Sequence, residues 1–121
     1  MGQFSFSKPE RLSSKKLIQE LFAKGSSFYL SPFKIIFLPQ PADAQVNKLL
    51  ISVPKTKFKK ATERNTIKRR IREGYRLNKI ELKPDKKFLI AYIYTSGKIL
   101  ASSAMHEKMI ASLRKINEKD A

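Results

Sequence analysis

Residues 59–79 read KKATERNTIKRRIREGYRLNK, and this stretch decides both the architecture and the surface. Set on a helix at about 100° per residue, Ile67, Ile71, Gly74 and Tyr75 fall in one compact stripe. Lys68, Arg72, Asn65, Arg76 and Arg69 gather on the adjoining arc, within about one quadrant of the helix,. The pattern predicts a helix over 62–78 with one face for the core and one for an anionic partner,. Gly74 lies inside the apolar stripe, where a missing side chain lets a neighbouring element approach closely,. Like charges four apart, Lys68 with Arg72 and Arg72 with Arg76, each destabilise an isolated helix by ~0.2–0.5 kcal/mol,. A face meant only for solvent would mix acids into those positions. A face of a single sign suits a lattice of phosphates.

The charge around this helix sets it apart from the rest of the chain. The protein has 121 residues, Lys+Arg 26 against Asp+Glu 10, and a net charge of +16. Between Lys55 and Lys79, eleven cations face only Glu63 and Glu73, so 25 residues carry +9 of that total. Arg64, Arg69, Arg70, Arg72 and Arg76 are five of the seven arginines. Arginine offers a planar fork that grips phosphate oxygens in pairs, where lysine acts as a point charge. A pI near 10.3 makes a polyanion the expected partner, nucleic acid ahead of an anionic membrane surface,.

Working outward, SSKKLIQELFAKG places Leu17, Ile18, Leu21 and Phe22 at helical spacing, with Ser13 or Ser14 as cap and Gly25 just past the end,. A helix is predicted at about 14–24,. FYLSPFKIIFL, 28–38, is aromatic and β-branched, with Phe33, Ile35 and Phe37 on one side and Lys34, Ile36 and Leu38 on the other,. Pro32 puts its earlier part at an edge or a bend,. PQPADAQVN reads as a turn, and KLLISV, 48–53, as a strand closing an antiparallel hairpin with the one before,. KKFLIAYIY, 86–94, is a further strand. A last helix over 102–116 turns Met105, Met109, Ile110, Leu113 and Ile116 inward,. The order helix–strand–strand–helix–strand–helix predicts an α/β (α+β) two-layer sandwich with a small mixed sheet, a single domain over 1–121.

Composition excludes several kinds of chemistry. With Cys 0 there is no disulfide framework, thiolate zinc site or cysteine nucleophile, and a reducing compartment is unproblematic,. A cytoplasmic protein is expected. No apolar run approaches the ~20 residues of a spanning helix. The opening MGQFSFSKPERL lacks the ~7–15-residue apolar core of a signal peptide,. The carboxylates are scattered, with no paired spacing for a metal or an acid–base pair,. His106, the only histidine, sits beside Glu107, and adjacent helical residues do not face each other,. No catalytic residue and no metal-binding residue is therefore expected in the chain. Phe22, by spacing alone, reads as core,.

Arg64-Asn65, Lys68-Arg69 and Arg72-Glu73, preceded by a strand and the basic run PKTKFKKAT, resemble the signature helix of the bacterial ribonuclease P protein family. Arg11-Leu12, Phe22, Gly25 and the LLISVPK strand fall where that family has them, so the resemblance covers nearly the whole chain. It implies a sandwich of about four strands and three helices, with a left-handed crossover around the basic helix. It further implies the small subunit of a ribonucleoprotein that removes the 5′ leader of precursor tRNA. Catalysis would reside in the RNA subunit, with Mg2+ held mainly by RNA and the protein present as a monomer. On this resemblance Lys55, Lys57, Arg64, Asn65, Lys68, Arg69, Arg72 and Arg76 would contact the catalytic RNA. A cleft between the first helix and the sheet, bearing Ile18, Phe22, Lys34 and Ile36, would hold the leader. Two positions depart from the pattern: Ile18 and Ile36 stand where the family often has Phe and Tyr, so weaker base stacking is expected there,. Lys59-Lys60 replace a frequent glycine in the connector. The rival reading is a non-catalytic RNA-binding protein of another kind, a ribosomal protein or an RNA chaperone. A protein-only nuclease lacks a reactive cluster, and a membrane-surface protein lacks a wide apolar face for lipid.

Overall fold

A computed structural model of the chain describes residues 8–120. The stretch MGQFSFS, part of the opening read above as lacking a signal core, lies outside the described residues. Helices α1 (Lys15–Lys24), α2 (Ala61–Asn78) and α3 (Ser102–Lys119) flank strands β1 (Ser26–Leu30), β2 (Phe33–Pro39), β3 (Lys48–Ser52) and β4 (Phe88–Tyr94). The strands form one mixed sheet in the order β1-β2-β4-β3.

Two features of the sheet differ from the sequence reading. The stretch 28–38 is two strands, β1 and β2, paired antiparallel with Tyr29 opposite Lys34 and Ser27 opposite Ile36. They turn at Ser31–Pro32, whose peptide bond is cis. The expected β2–β3 hairpin does not form. β4 inserts between them, antiparallel to β2 and parallel to β3. The physical reason is burial: β4 reads FLIAYIY, and six of its seven residues are buried. A strand apolar on both faces belongs in the middle of a sheet. β3 and β4 are joined through α2, so the basic helix is itself the crossover.

The two faces of the sheet are covered unequally. On one, Phe33, Ile35, Phe37, Phe88, Ile90, Tyr92 and Tyr94 pack with Ile67, Ile71 and Tyr75 of α2 and Met105, Met109, Leu113 and Ile116 of α3. Edge-to-face ring pairs knit this layer, Phe33 with Tyr92 at 5.1 Å and Phe37 with Phe88 at 6.0 Å,. Ile110 is only half-buried; Ser112 takes the buried place instead, its Oγ 2.6 Å from the Tyr92 hydroxyl. On the other face ten-residue α1 sets Leu17, Ile18 and Leu21 against Ile36, Leu89 and Ala91.

Ser14 caps α1, its Oγ accepting from Leu17 N at 3.3 Å. Gly25 does end α1, but with φ −71°, so no left-handed conformation explains it. Space does: a Cβ there would lie 2.8 Å from Ile36 Cγ2 and 2.5 Å from the Leu21 carbonyl oxygen. The chain can therefore pass straight from α1 into β1 while lying close against β2.

Candidate nucleic-acid interface

Helix α2 is held by its apolar stripe. Ile67, Ile71, Gly74 and Tyr75 are buried, and a Cβ on Gly74 would meet Met109 Cγ at 2.7 Å. The missing side chain brings α3 against α2 and fixes which way the cationic arc points.

The structure divides those cations into two groups. Arg64 donates from Nη1 to the carbonyls of Phe58 and Lys59 at 2.7 and 2.9 Å. It closes the basic connector onto α2, while the Phe58 ring is buried against Tyr94 at 6.0 Å. Lys55, Lys57, Lys59 and Lys60 are left exposed on this pinned loop. Arg70 donates to the Leu100 carbonyl at 2.6 Å, tying α2 to the segment before α3. Arg76 pairs with Glu73 at 3.1 Å. By contrast, Lys68, Arg69 and Arg72 make no hydrogen bond or ion pair among the described residues. Asn65 and Arg69 are exposed, Lys68 and Arg72 half-buried.

Arg72 is central. It lines a groove of about 210 Å³ with Lys68, Arg11 and residues 49–51 of β3, and a smaller cleft with Arg69, Glu73 and Arg76. Arg11 is brought there by a bridge to Leu49, reinforced by Leu12 N donating to the Leu49 carbonyl at 2.9 Å. The sequence reading did not place Arg11 in the site. It lies about 60 residues from Arg72 in sequence, and no local pattern announces a parallel bridge to an edge strand,.

The second surface is the sheet face beneath α1. Alternation puts Lys34, Ile36 and Leu38 of β2, Ser27 and Tyr29 of β1, and Leu89, Ala91 and Ile93 of β4 on that side,. Of the four residues expected in the cleft, Ile36 is buried and Ile18 and Lys34 are half-buried. Phe22 is 49% exposed. Spacing alone read Phe22 as core. Instead Leu21 takes the buried position, and the Phe22 ring stands in solvent at the last turn of α1.

Among the described residues, no group of three or more His, Cys, Asp or Glu could hold a metal ion. His106 packs near Gly74, its Cδ2 lying 3.4 Å from where a Cβ would be. Burial raises the hydroxyl pKa of Tyr75 and of Tyr92, Glu10 adding to the effect at Tyr75, so both rings stay neutral. Among the described residues, no helix is long and apolar enough to cross a membrane.

A family model for ribonuclease P matches residues 6–117. The chain belongs to the ribonuclease P protein family. The ribonuclease P protein component of Dictyoglomus turgidum is 35% identical over 119 residues, covering 98% of this chain and 95% of that one. The component from Porphyromonas gingivalis is 39% identical over 77 residues, where the match spans only 56% of the relative's length. The solved ribonuclease P protein of Thermotoga maritima superposes with a TM-score of 0.74 at 27% identity, covering 88% of this chain and 96% of that one. The fold therefore agrees with the ribonuclease P protein architecture of three helices and a four-stranded mixed sheet. Within this family frame, the Arg-Asn, Lys-Arg and Arg-Glu pairs occupy one helix but have different duties. Arg64 braces the connector, while Lys68, Arg69 and Arg72 bond to nothing among the described residues.

Proposed function

We propose that this chain is the protein subunit of a ribonuclease P holoenzyme, binding the catalytic RNA and the 5′ leader of precursor tRNA. Membership of the family supports this reading. The observation that carries it is the trio Lys68, Arg69 and Arg72, uncommitted within the described residues and presented along one helix face. Phosphates along a folded RNA are the partner such a row suits. Lys55 and Lys57 extend the row from the connector, and Asn65 offers a neutral donor beside it. Arg64 and Arg76 belong to this surface as bracing and flanking groups. Ile18, Phe22, Lys34 and Ile36 lie on or beside the sheet face that α1 partly covers, along whose exposed margin a single strand would run.

The catalysis belongs to the RNA in this reading. Among the described residues no group of three or more His, Cys, Asp or Glu could hold a metal ion, and this reading assigns no magnesium site to the protein. The magnesium the reaction uses is held mainly by RNA. The protein neutralises phosphate repulsion between the RNA subunit and its substrate, which is binding assistance and not acid–base chemistry. It acts as a single copy, in the cytoplasm.

Reconstitution tests this. Protein, a cognate candidate RNA and precursor tRNA, mixed at low magnesium, should yield a trimmed 5′ end that neither macromolecule alone produces efficiently. Cleavage by protein alone would revive a protein nuclease. Cleavage indifferent to the protein would favour an RNA-binding protein of another kind.

A further inference from the structure

Tyr29 is an exposed aromatic that belongs to neither apolar cluster. It stands on β1, the edge strand, and is 66% exposed, while its neighbour Phe28 is buried in the main core. The Lys34 ammonium, on the residue directly opposite in the ladder, lies 6.0 Å from the Tyr29 ring centroid. A large ring in water gains little from the fold, and a lone exposed aromatic would need no explanation. Tyr29 is not alone. It shares the α1 side of the sheet with Lys34, and Phe22, 49% exposed, projects from the last turn of the helix covering that side.

Positions 18 and 36 carry isoleucine, and both pack in the small cluster under α1. The available rings therefore sit at the margins of the site: Phe22 on the helix and Tyr29 on the outermost strand. A side of the sheet that offers two exposed rings, one of them with a cation beside it, matches a strand of bases and phosphates,. The chain's +16 charge favours that occupant over a protein segment of ordinary composition,.

We infer that Tyr29, with Lys34 beside it, forms a second base-stacking position at the sheet edge, engaging a leader nucleotide other than the one over Phe22. The inference rests on the leader-binding reading above and deepens it. Tyr29 acts here as a specificity-determining contact for single-stranded leader.

The experiment uses the reconstituted holoenzyme and a set of precursor tRNAs with progressively shortened leaders, plus mature tRNA. Stacking on one ring predicts a loss of about fivefold or more for Tyr29→Ala on long leaders. Mature tRNA should bind as before, and the loss should disappear once the leader is too short to reach the edge strand. Tyr29→Phe should restore binding, because the π-face and not the hydroxyl is used. Because the two rings hold different nucleotides, the fold-losses of Phe22→Ala and Tyr29→Ala should multiply in the double variant. Thermal melting of each variant accompanies the binding data. If wild type prefers long leaders and Tyr29→Ala keeps that preference, Tyr29 has no such role and the inference falls alone. An equal loss for mature tRNA, or loss at every leader length, overturns it as well. If wild type itself ignores the leader, the leader-binding reading falls, and the inference with it.

Discussion

Replacing Arg69 and Arg72 together with alanine separates ligand-binding cations from bracing ones. Neither guanidinium has a hydrogen bond or ion pair among the described residues, so their removal breaks no internal bond of the charged groups. Alanine is also the best helix former, and removing two like charges relieves repulsion along α2. The double variant should melt at or above the wild-type temperature. Its affinity for the catalytic RNA should nevertheless fall, with a diagnostic salt dependence. The slope of log K against log[salt] changes by about 0.7–0.9 for each phosphate that the protein no longer neutralises. Two such phosphates give about 1.4–1.8. Raising salt fourfold, from about 50 to 200 mM, should then shrink the affinity gap between wild type and variant by about seven- to twelvefold. The control is Arg70→Ala, whose Nη1 is bonded to the Leu100 carbonyl at 2.6 Å. That variant should lose stability by ~1–3 kcal/mol, the range for stranding a partner of a charged donor, and keep the wild-type salt slope. The assay is filter binding or fluorescence anisotropy at five or more salt concentrations. Parallel lines for wild type and Arg69→Ala/Arg72→Ala would refute the assignment of this face.

Three further outcomes follow from the packing and from the proposed role. Gly74→Leu should cost at least ~1–3 kcal/mol by overpacking, since even a Cβ meets Met109 Cγ at 2.7 Å; urea unfolding measures it, and wild-type stability would contradict the close helix crossing. Ser112→Ala should destabilise more than Tyr92→Phe in the same unfolding assay. The first leaves the fully buried Tyr92 hydroxyl without its partner, costing ~1–3 kcal/mol, while the second leaves Ser112 still bonded to the Met109 carbonyl at 2.7 Å, costing ~0.5–1.5 kcal/mol,. Raising magnesium should narrow the single-turnover rate difference between RNA alone and RNA plus protein, and His106→Ala should stay within about twofold of wild type. A constant gap, or an inactive His106→Ala, would mean the protein enters the chemistry.

Helix α2 was legible in the sequence because its stripe and its charge both repeat at the helical period. Ile67, Ile71, Gly74 and Tyr75 are buried as the spacing requires. The sheet order was not legible. Sequence neighbours usually pair, and that expectation joined 28–38 to 48–53; the doubly apolar 86–94 outcompeted it for the central place,. Side-chain assignments along α2 were equally hidden. Arg64 and Lys68 carry the same sign, yet whether a guanidinium meets a carbonyl or solvent depends on where the connector returns. Phe22 shows the limit of periodicity from the other side, because α1 is short and covers only part of its sheet face. The position of Tyr29 was hidden for a simpler reason: nothing in FYLSP marks where one strand ends and the next begins.

The division among the arginines also explains how so basic a helix remains folded. The repulsion of Lys68 with Arg72 and Arg72 with Arg76 totals under ~1 kcal/mol. Against it, Ile67, Ile71 and Tyr75 are almost wholly buried, and burying one such side chain contributes ~1.5–3 kcal/mol,. Packing wins by several-fold, so the fold tolerates the charge on the outer arc without needing it. The same comparison locates where selection for stability and for binding meet. Arg64 and Arg70 add hydrogen bonds to carbonyls and so serve the fold with residues drawn from the cationic set. Lys68, Arg69 and Arg72 add none, and the free protein bears their repulsion without any return. A phosphate backbone reverses that sign, because each phosphate neutralised releases condensed counterions while the helix is already in place. The row on α2 is thus preorganised by the burial of its opposite face, and binding needs no further ordering of the backbone that carries it.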